Sequence, residues 1–317
     1  MLKYLIVQLS DNSVSICHYP KKFSNNSKVI SSDVLYKAIY WAMQQNLSLQ
    51  FLYPDEELPN DVEEAINTIH SYKIANLKKK TQNTSFDAYI IDGFENLIEN
   101  SVNNEDVLSI KTNMSELVAN QEKLFSLLQQ AKRVNVILND IETLSDSDFE
   151  AYSNYLESVS DVIKNEYAKG HAIQLNLLTD RLYLDKMNNC NAGVESITLA
   201  PDGKFYICPA FYLDGSDSIG DLDNGLDIKN PQLYKFDHAP ICKKCDAFQC
   251  HRCVWLNKKT TLEVNTPSHQ QCVISHIERN ASRKLLENIR TIGEFLPEKE
   301  INEINYLDPF DLIINKK

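Results

Sequence analysis

The chain has 317 residues, 43% hydrophobic and 24% charged, with eight glycines and a net charge of −12 at pH 7, long enough for two domains or for one large and one small. The acidic balance argues against nucleic acid as a partner and favours a basic peptide or protein. No apolar run approaches the roughly 18 residues of a membrane span, and the short apolar start at Leu5-Ile6-Val7 lacks a small-residue cleavage site, so it reads as a strand of a cytoplasmic protein with no membrane segment.

In chain order, residues 3–9 read as a buried strand, Asp11-Asn12-Ser13 as a turn and Val14 to Tyr19 as a second extended piece. Ser32-Asp33 caps a helix to about Gln45, with Leu35, Ile39, Ala42 and Met43 on one face. Leu47 to Tyr53 is the next strand, Asn60 caps a helix through Ile69, and Tyr72 to Ala75 is a short strand. Lys78-Lys79-Lys80 through Ser85 is a polar loop, and Phe86 to Ile91 a strand that ends at Asp92-Gly93. Val107 to Lys111 is a strand, and Asn113-x-x-Glu116 opens a helix to about Lys132. Val134 to Leu138 is a strand, Ser145-x-x-Asp148 starts a helix to about Tyr167, and Ala172 to Leu178 is a strand. This alternation predicts an α/β fold: a mostly parallel sheet with crossover helices, open or a partial barrel.

At Asp180 the texture changes to hairpins, loops and cysteines, which places a domain boundary there: residues 1–180, then 181–275, then a C-terminal helix and tail over 276–317. Ile197 to Cys208 reads as a β-hairpin about Pro201-Asp202-Gly203, with Gly203 supplying a positive φ. Thr260 to Pro267 is a loop. A helix follows from Ile274 to Ile292, and the segment from Phe295 to Lys317 either packs back on the body or docks a partner.

Seven of the eight cysteines fall in the second region: Cys190, Cys208, Cys242, Cys245, Cys250, Cys253 and Cys272. Two C-x-x-C pairs in a chain that stays in a reducing compartment are a metal signature, because thiolates two residues apart face one ion or cluster. Four thiolates fill one zinc site or one 4Fe-4S cluster. Seven are too many for one site and one short of two, so two sites, one with a non-cysteine or open position, is the economical solution. The alternative is a structural zinc knuckle on Cys242-x2-Cys245-x4-Cys250-x2-Cys253, the other thiols being small buried hydrophobes.

The order Cys190-x12-Gly203-x4-Cys208, followed by the C-x2-C cluster and the isolated Cys272, resembles the SPASM domain, the auxiliary-cluster module of radical-SAM peptide maturases. That family spaces its central four cysteines as C-x2-C-x5-C-x3-C, and each of the last two gaps is one shorter here. The resemblance implies one 4Fe-4S cluster on Cys242, Cys245, Cys250 and Cys272, and another on Cys190, Cys208 and Cys253. Relatives carry a further cysteine a few residues after the first. Ala192-Gly193-Val194-Glu195-Ser196 has none, so the second cluster is open or capped by another group, with Glu195 and His251 as candidates.

The first region then corresponds to a partial (β/α)6 radical-SAM-type domain, and it departs from that pattern. The family needs C-x3-C-x2-C after the first strand, and only Cys17 stands there; Tyr53-Pro54-Asp55-Glu56-Glu57 replaces the expected glycine-rich segment. The sequence thus has no site for S-adenosylmethionine. Lys3-Tyr4-Leu5-Ile6-Val7 and Ser13-Val14-Ser15-Ile16-Cys17-His18-Tyr19 resemble the CXXX-repeat peptide maturase family. That resemblance implies a degenerate scaffold: an accessory subunit, in a heterodimer with a catalytic radical-SAM maturase acting on a Cys-rich precursor peptide. A zinc-stabilised peptide-binding scaffold without a redox role is the alternative. Cys17-His18 reads more simply as a packed pair than as a ligand, Trp255 as core, and Asp92 as a turn former or a functional residue at a strand end.

Overall fold

The computed structural model describes residues 1–20, 26–97 and 102–311. Along the chain run β1 (Tyr4–Gln8), α1 (Ser32–Gln44), β2 (Ser48–Leu52), α2 (Asn60–Ile66), β3 (Tyr72–Asn76), β4 (Ala88–Asp92) and β5 (Val107–Thr112). They are followed by α3 (Met114–Ala119), α4 (Gln121–Gln130), β6 (Arg133–Leu138), α5 (Asp146–Ala168) and α6 (Asp180–Tyr183). The remainder comprises β7 (Ser196–Leu199), β8 (Phe205–Tyr206), α7 (Pro209–Leu213), β9 (Gly220–Asp221), β10 (Gly225–Leu226), α8 (Val254–Thr261) and α9 (His269–Arg290).

The main sheet has eight strands in the order β6-β5-β4-β3-β2-β1-β7-β8. Its pairings are parallel except the β7–β8 hairpin, where Gly203 takes φ +80° as the turn requires. Alternate residues part to opposite faces. Leu5 and Val7 of β1 join Leu35, Ile39 and Val62 of the helices, while Ile6 joins Val14, Leu52, Ile74 and Ile90 on the other face. Burial on both faces explains why these strands read as continuous apolar runs.

The polar loop read over Lys78 to Ser85 is present, and two other expectations change for local reasons. The β3–β4 crossover has no α-helix, only a 3-10 turn at Leu77–Lys79; the run Thr81 to Ser85 has no apolar stripe to bury, and Lys79 Nζ donates to the carbonyls of Pro54 (2.9 Å) and Glu56 (2.7 Å). The helix over 113–132 breaks into α3 and α4 at Asn120 (φ −111°, ψ 29°), whose side chain donates to Glu116 O at 2.8 Å and competes with helical pairing. The strand over 172–178 shrinks to one parallel bridge, Val134–Leu175. There the buried Asn176 side chain substitutes for backbone: its Oδ1 accepts from Val136 N (2.8 Å) and its Nδ2 donates to Val136 O (2.9 Å).

The sheet continues past residue 180, because β7 lies beside β1 in parallel register. On the other side α9 packs on α5, and Tyr152 Oη donates to Glu278 Oε1 at 2.8 Å within that contact. Phe295 and Leu296 pack against the same core and Ile301 is buried in it. Residues 312–317, the end of the predicted tail, lie outside the described residues.

Candidate metal centre

The loop after β1 is fastened at several points. Val14 N donates to Tyr53 O (2.9 Å) and Ser13 Oγ to Leu52 O (2.7 Å). Ser15 Oγ donates to Tyr19 O at 2.5 Å. Lys111 of β5, buried, donates to Ser15 Oγ and to Tyr19 O (2.6 Å) and lies over the Tyr19 ring. His18 Nδ1 is 2.9 Å from Leu138 O at the end of β6. Cys17, held between these anchors, has its Sγ 3.9 Å from Cys253 Sγ. Cys253 is the N-cap of α8, where its sulfur accepts from Leu256 N at 3.4 Å.

Cys190 lies in the loop before β7, with its carbonyl accepting from Ser196 Oγ (2.8 Å). Cys208 follows β8 and precedes Pro209, the first residue of α7. Cys17, Cys190, Cys208 and Cys253 line one cavity of about 140 Å³, together with His251 and Arg252. A second, smaller cavity is lined by Cys242, Cys245, Cys250 and Cys272, with Arg252 and His276. Cys245 Sγ accepts from Ala247 N (3.4 Å) and lies 3.6 Å from His276 Nε2.

The electrostatics divide the thiols the same way. Burial pushes the Cys208 thiol up, and negative charge on Cys190 and Cys17 pushes it further. Burial raises Cys272, and charge on Cys250, Cys242 and Cys245 adds to it. The hydrogen bond between Cys17 and Cys253 holds the first of the pair low and the second high. At Cys242 the Arg252 guanidinium works against burial, which still raises the thiol.

Arg252 stands at both cavities and is only 3% exposed. Its Nη1 donates to Tyr234 O at 3.2 Å, while Nε and Nη2 have no nitrogen or oxygen partner among the described residues. The guanidinium instead faces the Cys242 thiol, whose rise on burial it opposes by charge and hydrogen bonding. A buried guanidinium whose donors lack such partners costs free energy unless it meets an anion. Two sets of four thiolates around such a cation are a donor chemistry that suits thiolate-bound iron–sulfur clusters. Four sulfurs about 2.3 Å from one point would equally hold a single zinc ion, and the 3.9 Å between the Cys17 and Cys253 sulfurs is close to the edge of such a tetrahedron; among the described residues no three His, Cys, Asp or Glu side chains already converge on one point.

The other predicted candidates are placed as follows. Glu195 is engaged elsewhere, with Oε1 2.5 Å from Lys3 Nζ and Oε2 accepting from Asn191 Nδ2 at 3.0 Å. His251 lines the first cavity, and its Nε2 is 3.2 Å from Asn176 Nδ2. Trp255 is core, donating from Nε1 to Asp214 Oδ2 at 2.9 Å. Asp92 ends β4, where its carbonyl accepts from Asn96 Nδ2 at 2.5 Å. Cys17 is the one cysteine before residue 190, so the C-x3-C-x2-C triplet is lacking. Sequence reasoning missed Cys17 as a neighbour of the first set and Arg252 as the shared cation. Neither carries a local signal, since Cys17 meets Cys253 only through the fold.

Several solved structures resemble the chain. With anSMEcpe bound to AdoMet the TM-score is 0.59 at 13% identity, over 94% of this chain and 98% of that one. With anSMEcpe bound to AdoMet and the Cp18Cys peptide it is 0.61 at 13% identity, over 92% and 100%. With SuiB of Streptococcus suis bound to precursor peptide SuiA it is 0.50 at 11% identity, over 84% and 74%. No protein-family model and no curated protein matches the sequence. At such identities the likeness is one of fold: the chain shares the α/β fold of these structures, and its own sheet is mostly parallel and eight-stranded.

Proposed function

We propose that the protein is an iron–sulfur accessory subunit in the maturation of a ribosomally synthesised, Cys-rich peptide, paired with a separate catalytic radical-SAM enzyme. The reading rests above all on one observation, the eight thiols sorted four and four at two cavities that share the buried Arg252. It is supported by a maturase-like fold that lacks the cysteine triplet for S-adenosylmethionine. That similar structures hold peptides favours a peptide as substrate.

When bound, 4Fe-4S clusters supply one-electron redox capacity and iron with affinity for thiolate. The chain's own groups set the environment. Cys242, Cys245, Cys250 and Cys272 would hold one cluster, and Cys190, Cys208 and Cys253 the other. The backbone N–H groups of Leu256 and Ala247 donate to ligand sulfurs, and the Arg252 guanidinium balances negative charge; both are means by which a protein tunes potential. The acidic surface suits a basic partner or precursor.

The test is metal and sulfide analysis of anaerobically purified protein, followed by assay with its partner. About eight irons and eight sulfides per chain, with a broad visible band, are expected. Cys190→Ala, Cys208→Ala and Cys253→Ala are expected to abolish peptide product while the partner still cleaves S-adenosylmethionine. Stoichiometric zinc without colour would instead make the cysteines a structural staple and the protein a peptide-binding scaffold.

A further inference from the structure

Resting on that reading, we propose that Cys17 is the fourth thiolate of the first set, so that the loop after β1 closes the centre of Cys190, Cys208 and Cys253 and leaves no position for a substrate thiol. The family pattern draws its fourth cysteine from the neighbourhood of the first, and here that neighbourhood has none. The geometry supplies one from the other end of the chain. Cys17 lines the same cavity as the three cysteines, and its sulfur is 3.9 Å from that of Cys253. The competing oxygen ligand, Glu195, is bound to Lys3 and Asn191.

The placement of Cys17 does not depend on chance packing of a loose loop. The carbonyl of Tyr19 and the hydroxyl of Ser15 are gripped by Lys111 of β5, and His18 by the end of β6. These contacts fix the residues on both sides of Cys17 to strands that are themselves buried. With Cys17 included, the eight cysteines of the chain fill two four-thiolate sets with none left over. The consequence is functional: a centre ligated by four protein thiolates has no exchangeable position, so its service to the reaction is electron transfer or structure rather than capture of a substrate thiolate. It also ties the first loop of the β/α region to the N-terminus of α8.

Differential thiol labelling on the full chain tests this. Anaerobically purified protein is exposed to N-ethylmaleimide, stripped of metal by a chelator, labelled again with iodoacetamide and read by peptide mass spectrometry. Cys17 is expected to react as slowly as Cys190, Cys208 and Cys253, and all four more than tenfold faster after stripping. Cys17 reacting at the stripped rate while the other three stay protected would overturn the inference and leave the cluster reading standing. All eight thiols reacting freely, with no iron or zinc bound, would overturn both. Cys17→Ala decides the matter should packing alone slow the reaction. It is expected to lower iron and sulfide by about half, the same loss expected of Cys208→Ala, and wild-type content in Cys17→Ala overturns the inference. Cys17→Ser keeps the side-chain volume and offers oxygen. An altered electron paramagnetic resonance spectrum of the reduced protein is expected of it, and an unaltered one counts against ligation.

Discussion

At the scale of single residues, the free energy of the site lies in groups that are badly placed without a charge beside them. Arg252 is buried with two donors that meet no nitrogen or oxygen among the described residues, and each such group costs about 1–3 kcal/mol. Arg252→Met is therefore expected to raise the urea midpoint of metal-free protein while speeding metal loss from the loaded form, where the cation is needed. Two shifts of the same sign would show that the guanidinium has no ionic partner in the loaded protein. Glu278 is a second such residue. Burial raises its carboxyl from the usual 4.5 to about 7, Asp180 adds to the rise, and hydrogen bonds from Tyr152 and Gln249 oppose it. Between those two values the native chain keeps a proton that the unfolded chain has released, so stability falls as pH rises through that window and is level above it. Glu278→Gln is expected to abolish the decline, a gain on the order of 3 kcal/mol at pH 8 relative to wild type. Denaturant unfolding from pH 5 to 8 measures it, and parallel curves for the two proteins would refute it.

Elements carry the site through their ends, and the sheet edge beside β6 is the most exposed to failure. Asn176 holds Val136 by both of its backbone groups and meets His251 with the same amide. Asn176→Leu removes the partner of two buried backbone groups at about 1–3 kcal/mol each. It is expected to lower the urea midpoint and to speed hydrogen exchange at the Val136 amide, and unchanged exchange there would contradict the role given to Asn176. The same position shows where sequence reading stops. Ala172 to Leu178 has the apolar content of a strand, and nothing local says that an asparagine side chain will replace the ladder. The cap at Ser145-x-x-Asp148, the hairpin at Gly203 and the C-x2-C pairs are legible because the interacting groups lie within a few residues of one another. The break at Asn120 and the approach of Cys17 to Cys253 depend on what the rest of the chain packs beside them. Local pattern specified the strands well, and the family resemblance gave a sorting for seven of the eight cysteines; the approach of Cys17 to Cys253 required the tertiary structure.

For the molecule as a whole, the question is whether the boundary read at residue 180 separates two independently stable bodies. β1 is sandwiched between β2 and β7, and all four residues of β7 are buried. The α5 face that holds Tyr152, Leu156 and Val159 shares one core with Val273, Ile277 and Leu285 of α9. Removing the second part would uncover several aliphatic side chains on both fronts, at about 1.5–3 kcal/mol for each one fully buried, against a total stability of roughly 5–15 kcal/mol. The parts are thus expected to unfold together. The two tryptophans make the test direct, since Trp41 lies in α1 and Trp255 in α8. Trp41→Phe and Trp255→Phe each leave one fluorophore, one for each side of the boundary. Trp41 also packs on Phe205 of β8, ring centroids 4.8 Å apart, so it senses the contact as well as its own helix. Coincident denaturation midpoints in the two variants, equal to that seen by far-ultraviolet circular dichroism, are the expected result for one cooperative body. Separate midpoints, with Trp255 unfolding first on chelation and Trp41 undisturbed, would mean that the cysteine-bearing part folds on its own metal and that the shared sheet contributes little to holding it.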